Sequence, residues 1–319
     1  MEENYILACK TVLNKFSKDN EYYSLFVLSL YGLFSKYPNY KDIIIDIFNN
    51  VDIYINNKTV DKIIKKNKLN SSFTGDNRKN RNFTSAISSN KYSFYIEDGK
   101  RIGVEEDNAY IVCSTKLCNP TELLNVFIHE MNHLIKSYKN FYKLISTEDY
   151  FGYCSRNGIS TCYYYYYPLE DKLVEIEYYN ILDENINTIQ TTEIMEEIIA
   201  LDGIVPDKKI QSFIDSLDKD LFSTDFGYDA TTYLVRPLWD NSNFKNLVES
   251  NIVEGNIEEI INSFDNVLGN DSFLDLADSL DDIDELDACR KNKEKIKSLK
   301  KHVKDIVCKY NSKKEKVLI

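Results

Sequence analysis

The sequence of 319 residues is poor in histidine, proline and glycine, and it has no surplus of basic residues. With 5 Pro and 10 Gly it leaves little room for flexible linkers. The 39 basic and 51 acidic residues give a net charge of −12, which excludes non-specific binding to nucleic acid or anionic membranes, because both need a basic surface. The share of charged residues, 28%, and of hydrophobic residues, 43%, is typical of a folded protein.

Long apolar runs and export signals are also lacking. The longest uncharged run, YYSLFVLSLYGLFS at 22–35, is shorter than the roughly 18 residues of a membrane-spanning helix, so we predict a buried helix there. The first residues, MEENYILACK, are acidic where a signal peptide would be basic. The cysteines number seven and are scattered, which favours free thiols over a disulfide framework. We therefore expect a cytoplasmic protein without a membrane segment.

Hydrophobic periodicity predicts an α+β fold in three regions. Residues 1–70 and 206–319 show helical spacing of apolar residues, and the acidic and basic blocks near the end are typical of solvated helix faces. The polar stretch at 68–82 predicts an exposed loop. The segment KYSFYIEDGKRIGVEEDNAYIVCS, at 91–114, predicts two or three strands of a small antiparallel sheet, and 149–170 predicts a hairpin turning at Asn157–Gly158.

Two of the three histidines lie on one predicted helical turn, in FIHEMNHLI at 127–135. The preceding residues carry the signals of a helix start, with Asn119 as N-cap, Pro120 at the first helical position and Glu122 three residues after the cap. Residues four apart share a helix face, so His129 and His133 are placed to bind one metal ion.

Glu130 directly follows the first of these histidines and completes an HExxH pattern. In this pattern the two histidines bind zinc and the glutamate is the general base for a zinc-bound water. The alternative is a pair of buried histidines satisfied by hydrogen bonds. With so few histidines a chance match has a probability below about 0.5%. A divalent cation also offsets the cost of burying two imidazoles and a carboxylate together, which favours the metal site.

A catalytic zinc site has three protein ligands and an open position for water. The remaining histidine, His302, lies in the lysine-rich segment IKSLKKHVKD, which predicts a surface residue. The third ligand is therefore expected to be a carboxylate. The downstream candidates are Glu170, Glu175, Glu177, Asp183, Glu184, Glu193, Glu196 and Glu197.

HEMNH followed downstream by ILDENINTIQTTEI resembles the gluzincin clan of zinc metallopeptidases. In that clan a second helix supplies the third ligand from a stretch similar to L-x-E-x-x-N, which here matches Leu182, Glu184 and Asn187. The resemblance covers roughly residues 90–200. It implies a zincin-like catalytic core at 71–205, formed by a small antiparallel sheet and the active-site helix, with Zn²⁺ bound by His129, His133 and Glu184.

The resemblance also implies hydrolysis of peptide bonds in a peptide or protein substrate, with Glu130 as general base. The strand NAYIVCS, at 108–114, would hold an extended substrate by β-augmentation. The downstream histidine of thermolysin-like enzymes has no counterpart, so we assign oxyanion stabilisation to Tyr228, with Tyr233 and Arg236 as other candidates from 226–239. The alternative function is a zinc-binding interaction or regulatory protein without peptidase turnover. No feature indicates the oligomeric state.

Overall fold

The computed structural model describes residues 2–69, 86–89, 92–97, 101–106, 109–139, 142–220, 229–290 and 292–314. Within these ranges the helices are α1 (Glu2–Lys15), α2 (Tyr23–Lys36), α3 (Lys41–Asn50), α4 (Val60–Asn67), α5 (Pro120–Lys136), α6 (Asn180–Ile199), α7 (Lys208–Asp215), α8 (Asp229–Trp239), α9 (Ser242–Asn251), α10 (Ile257–Leu268), α11 (Ser272–Ala288) and α12 (Lys293–Lys314). The strands are β1 (Asp52–Asn56), β2 (Ala86–Ser89), β3 (Tyr92–Glu97), β4 (Arg101–Glu106), β5 (Tyr110–Ser114), β6 (Tyr142–Ser146), β7 (Phe151–Asn157), β8 (Ser160–Tyr167) and β9 (Lys172–Tyr178).

This mixture of helices and small sheets agrees with the predicted α+β class. The chain divides into two compact units, each built from separate stretches of sequence. The first unit contains residues 1–95, 104–138 and 190–224, and the second contains 96–103, 139–189 and 225–319. The division falls within α6. The predicted domains, 1–70, 71–205 and 206–319, are continuous segments and stay a prediction.

The first unit contains a three-stranded sheet in the order β1-β5-β2. The central strand β5 pairs in parallel with β1 and antiparallel with β2. The prediction of a purely antiparallel sheet is therefore wrong, because β1 pairs in parallel. The region 1–70, predicted to be helical, also contains this strand. Because both edges of β5 are already hydrogen-bonded, the prediction that NAYIVCS holds a substrate strand is also wrong.

The strands predicted at 91–114 are present as β3, β4 and β5. β3 and β4 form a two-stranded sheet of their own, whereas β5 belongs to the sheet with β1 and β2. The polar stretch predicted to be an exposed loop lies outside the described residues from position 70 to position 82.

The core of the first unit surrounds α2, whose residues Tyr23 to Phe34 are all buried. The Phe26 ring lies 5.3 Å from the ring of Phe127 on α5, measured between centroids. The prediction of a buried helix at 22–35 is thus confirmed. On α4, Val60 and Ile63 pack with Tyr110 of β5 in a second apolar cluster.

The second unit contains an antiparallel four-stranded sheet in the order β6-β7-β8-β9. The predicted hairpin is confirmed as β7 and β8, in which Asn157 pairs with Ser160. The turn is therefore formed by Gly158 and Ile159, one residue later than predicted, and Gly158 has a positive φ of 63°.

The second unit also contains the first half of α6 and the helices α8 to α12. Aromatic residues of α9, α10, α11 and α12 form the centre of this helical part. The Phe264 ring is stacked on Tyr310 at 4.5 Å and lies 5.3 Å from Phe273. The acidic α11 and the basic α12 pack together and bury apolar residues such as Leu280 and Val303, while most of their charged residues face solvent. Within the described residues, no helix combines the length and the apolar character needed to cross a membrane.

Candidate metal centre

Helix α5 begins as the sequence predicts. The Asn119 side chain accepts the Glu122 N–H at 2.9 Å, and the Glu122 carboxylate accepts the Asn119 N–H at 2.8 Å, which completes a capping box. Pro120 occupies the first turn, where a missing N–H costs no helical hydrogen bond. These local interactions determine where the helix starts, and the 3.6-residue period then places residues four apart, such as His129 and His133, on one face.

The two histidines of α5 lie on one face of a helix that is otherwise largely buried. Their Nε2 atoms are 3.1 Å apart, and the ring centroids are 4.8 Å apart with the rings nearly perpendicular. His133 is 6% exposed, while His129 is half-buried and accessible. At this distance one imidazole can donate a hydrogen bond to the other, or both nitrogens can bind one metal ion.

Glu184 on α6 joins the two histidines. One ligand atom from each of His129, His133 and Glu184 can be chosen so that all three atoms lie within 4.8 Å of one another. This donor set, two imidazole nitrogens and one carboxylate oxygen, can hold a divalent metal ion. The structure thus brings together the three residues predicted as metal ligands.

The other candidate carboxylates are engaged elsewhere or exposed. Asp183 is buried and accepts the Ile159 N–H, and Glu193 forms an ion pair of 2.5 Å with Lys36. Glu175 accepts a hydrogen bond from a tyrosine hydroxyl of β8. The candidates that remain are Glu177, which lies on β9 near the Ser160 hydroxyl, and the exposed residues Glu170, Glu196 and Glu197.

The orientation of α6 near Glu184 is determined by its two sequence neighbours. The amide of Asn185 is fully buried, and its oxygen accepts hydrogen bonds from the hydroxyls of Thr231 (3.0 Å) and Thr232 (2.7 Å) on α8. The Asn185 amide nitrogen donates to the Ile181 carbonyl at 2.7 Å. The two bonds to α8 hold this turn of α6 in its orientation, because a rotation of the helix about its axis would break them.

Asp183 ties the same turn of α6 to the hairpin. Its Oδ1 accepts the Ile159 N–H at 2.8 Å. A Cβ atom built on Gly158 would lie 2.3 Å from the same oxygen, so only glycine fits beside this carboxylate. The turn of β7 and β8 therefore supports the helix segment that carries Glu184.

A largely buried carboxylate of α11 provides a hydrogen-bond partner for the first turn of α6. Asp281 Oδ1 accepts the Ile181 N–H at 3.1 Å, which provides one of the four N–H groups of a helix start with a partner. Burial, together with the charges of Asp278, Asp284 and Asp282, raises the pKa of Asp281 to about 6 although its hydrogen bond acts in the opposite direction.

Glu130 lies against the central strand of the first sheet. Its side chain is 9% exposed, and its charge contributes to raising the pKa of the Cys113 thiol, which burial already raises. Glu130 is next to His129 in the sequence, but it is not a member of the donor set.

The predicted oxyanion residue, Tyr228, lies outside the described residues. Its alternative Tyr233 is exposed on α8, where the amino groups of Lys300 and Lys304 lie 5.4 and 5.5 Å from its ring centroid. His302 is exposed, as predicted, and its Nε2 lies 2.9 Å from a carboxylate oxygen of Asp275.

No protein-family model matches the sequence, and neither a curated protein nor a solved structure matches it. The case for a metal centre therefore rests on the residues of this chain and on their geometry.

Proposed function

We propose that this protein is a zinc-dependent metallopeptidase. The observation that carries the proposal is the convergence of His129, His133 and Glu184, with a carboxylate, Glu130, next to the first histidine and outside the donor set. Ligand atoms of a tetrahedral zinc ion are about 3.3 Å apart for bonds near 2.0 Å, and the two Nε2 atoms at 3.1 Å are close to that spacing.

In this proposal the three ligands hold zinc, which supplies Lewis acidity towards a water molecule and a peptide carbonyl. Glu130 accepts a proton from the attacking water and transfers it to the leaving amine. Because its side chain is largely buried, the proton remains shielded from bulk solvent between the two transfers. The buried amide of Asn185 and the carboxylate of Asp183 keep Glu184 in position.

We further propose a zincin-like core in which the substrate pairs with an edge of the β1-β5-β2 sheet. β5 is excluded because both of its edges are occupied. Among the two outer strands, β2 packs against α5 and pairs antiparallel with β5. An extended peptide or protein substrate added to its outer edge would lie beside the helix that carries the histidines. The cytoplasmic location of the protein stays a prediction.

The first experiment measures metal and activity together. Purified protein should contain about one zinc per chain and cleave a peptide library in a chelator-sensitive manner. Glu130→Gln should keep the zinc but lose at least 100-fold in kcat, because it removes the general base and no ligand. Protein without bound transition metal after zinc addition would refute the proposal. Zinc binding without hydrolysis would favour the interaction or regulatory protein.

The second experiment tests the third ligand. Glu184→Ala should weaken zinc binding by at least about 10- to 100-fold, because the site loses a donor. Glu196→Ala is the matched control, since it removes an exposed carboxylate from the same helix. Retention of full zinc affinity by Glu184→Ala, or a loss of the same size in the control, would contradict the assignment.

A further inference from the structure

A cavity of about 1180 Å³ opens on one face of the four-stranded sheet in the second unit. Thr161, Tyr163 and Tyr165 line it, and they share a sheet face because they alternate along β8. Residues of the first turn of α10 and of the segment before it line the cavity as well. We refer to this space as the tyrosine cavity.

The strand register extends this aromatic surface onto β9. Tyr178 is the Cα partner of Thr161, so it lies on the same face as Tyr163 and Tyr165. The rings of Tyr163 and Tyr165 are nearly parallel with centroids 6.2 Å apart, and the Tyr178 ring is perpendicular to that of Tyr163 at 5.8 Å. Tyrosine ring faces carry negative electrostatic potential and attract cations.

Two carboxylates add to this negative potential. Glu258 and Glu259 lie in the first turn of α10, line the cavity and are exposed. Neither side chain forms a hydrogen bond or an ion pair with any residue in the described part of the chain. Their charges are therefore accessible to a ligand in the cavity.

Among the described residues that line the cavity, Arg156 is the cationic one. Its guanidinium is buried and already engaged by other groups of the protein. Its side chain is 3% exposed, and its guanidinium donates to the carbonyl oxygens of Gly158 (3.2 Å) and Lys139 (3.4 Å). It also lies under Gly255, and the carboxylate of Asp183 interacts with its charge. The accessible charges of the tyrosine cavity are thus the two glutamates.

We propose that the tyrosine cavity binds a basic peptide segment. Lysine or arginine side chains would stack on the rings of Tyr163, Tyr165 and Tyr178, and their charged ends would pair with Glu258 and Glu259. The volume exceeds that of most small-molecule sites, which fits several residues of a peptide. The inference concerns binding alone and does not depend on zinc or on hydrolysis.

The test measures the affinity of a fluorescein-labelled hexa-arginine peptide by fluorescence anisotropy. A Glu130→Gln background is used throughout so that the probe cannot be cleaved. Glu258→Gln with Glu259→Gln should weaken binding at least about 10-fold, and Tyr163→Leu should weaken it several-fold. A matched hexa-citrulline peptide, which has the same shape without charge, should bind at least 10-fold more weakly.

The net charge of −12 could attract any cationic peptide, so a charge-matched control is needed. Glu285→Gln with Glu294→Gln removes the same charge from exposed positions of α11 and α12 and should leave the affinity within about twofold. Equal loss in this control would overturn the proposal, and so would equal binding of the citrulline peptide. Preferential binding of a hexa-glutamate peptide would overturn it as well and assign the cavity to an acidic partner.

Discussion

Replacing Asp281 by Asn should stabilise the protein at neutral pH. The carboxylate is largely buried and its pKa is raised from 3.8 to about 6, chiefly by burial. In the unfolded chain the pKa returns to its ordinary value, so the folded state binds the proton more tightly. The contribution of Asp281 to the free energy of unfolding is therefore fully present below pH 3.8, and it is lost as the pH rises through 6. Asn has no charge to bury at any pH, and its oxygen can still accept the Ile181 N–H.

The size of the effect follows from the pKa shift. Each pKa unit corresponds to about 1.4 kcal/mol. Relative to a group that stays neutral, Asp281 therefore lowers the free energy of unfolding by about 1.5 kcal/mol at pH 5, where mainly the unfolded chain is ionised, and by about 3 kcal/mol at pH 8, where both states are ionised. Asp281→Asn should therefore be more stable than the parent protein by these amounts. Urea unfolding at pH 5 to 8 measures the difference, with fluorescence of Trp239, which is 1% exposed, as the signal.

Asp287→Asn is the matched control, because it removes one exposed charge from the same helix and should change stability by less than about 0.5 kcal/mol. A stabilisation by Asp281→Asn that did not grow between pH 5 and pH 8 would refute the linkage argument. An Asp281→Asn variant less stable than the parent at pH 8 would show that the hydrogen bond from the Ile181 N–H to the ionised carboxylate contributes more than the burial of its charge costs.

Three further substitutions probe the elements around the metal centre. Gly158→Ala should lower the free energy of unfolding, measured by thermal unfolding, by at least about 2 kcal/mol, because its Cβ would collide with Asp183. Gly203→Ala is the control, since Gly203 has a similar positive φ but open space around it, and it should cost about 1 kcal/mol. Equal losses in the two variants would contradict the collision. Asn185→Ala should lower the free energy of unfolding in urea by about 2 to 4 kcal/mol, because it removes the acceptor of two buried hydrogen bonds. It should also weaken zinc binding in calorimetric titration, and an unchanged zinc affinity would argue against a role of Asn185 in positioning Glu184. Asn119→Ala should lower the free energy of unfolding by about 1 kcal/mol through loss of the capping box, and no loss would refute that contribution.

The features of α5 could be predicted because their causes are local. A capping box needs residues three apart, and a shared helix face needs histidines four apart, so both can be recognised within one stretch of sequence. The choice of Glu184 depended on the resemblance to gluzincins. The residues alone left eight carboxylates open, and local sequence does not show which of them the fold brings to the histidines.

The residues that hold α6 in place could not be predicted, because their partners are distant in sequence. Asp281 is 100 residues from Ile181, and Thr231 is 46 residues from Asn185. Nothing in the sequence of α11 distinguishes the aspartate that accepts the Ile181 N–H from the other aspartates of the same helix. β1 was missed for the same reason, since its parallel partner β5 begins only at residue 110.

The order of the first sheet also has a consequence for synthesis on the ribosome. β1 and β2 emerge first, but among the described strands each pairs with β5 alone, which is the last of the three in the chain. No ladder of this sheet can therefore form until residue 114 has left the exit tunnel. Until then two unpaired strands are open to other chains, so a pause in translation before this point would favour aggregation, and one after α5 would not.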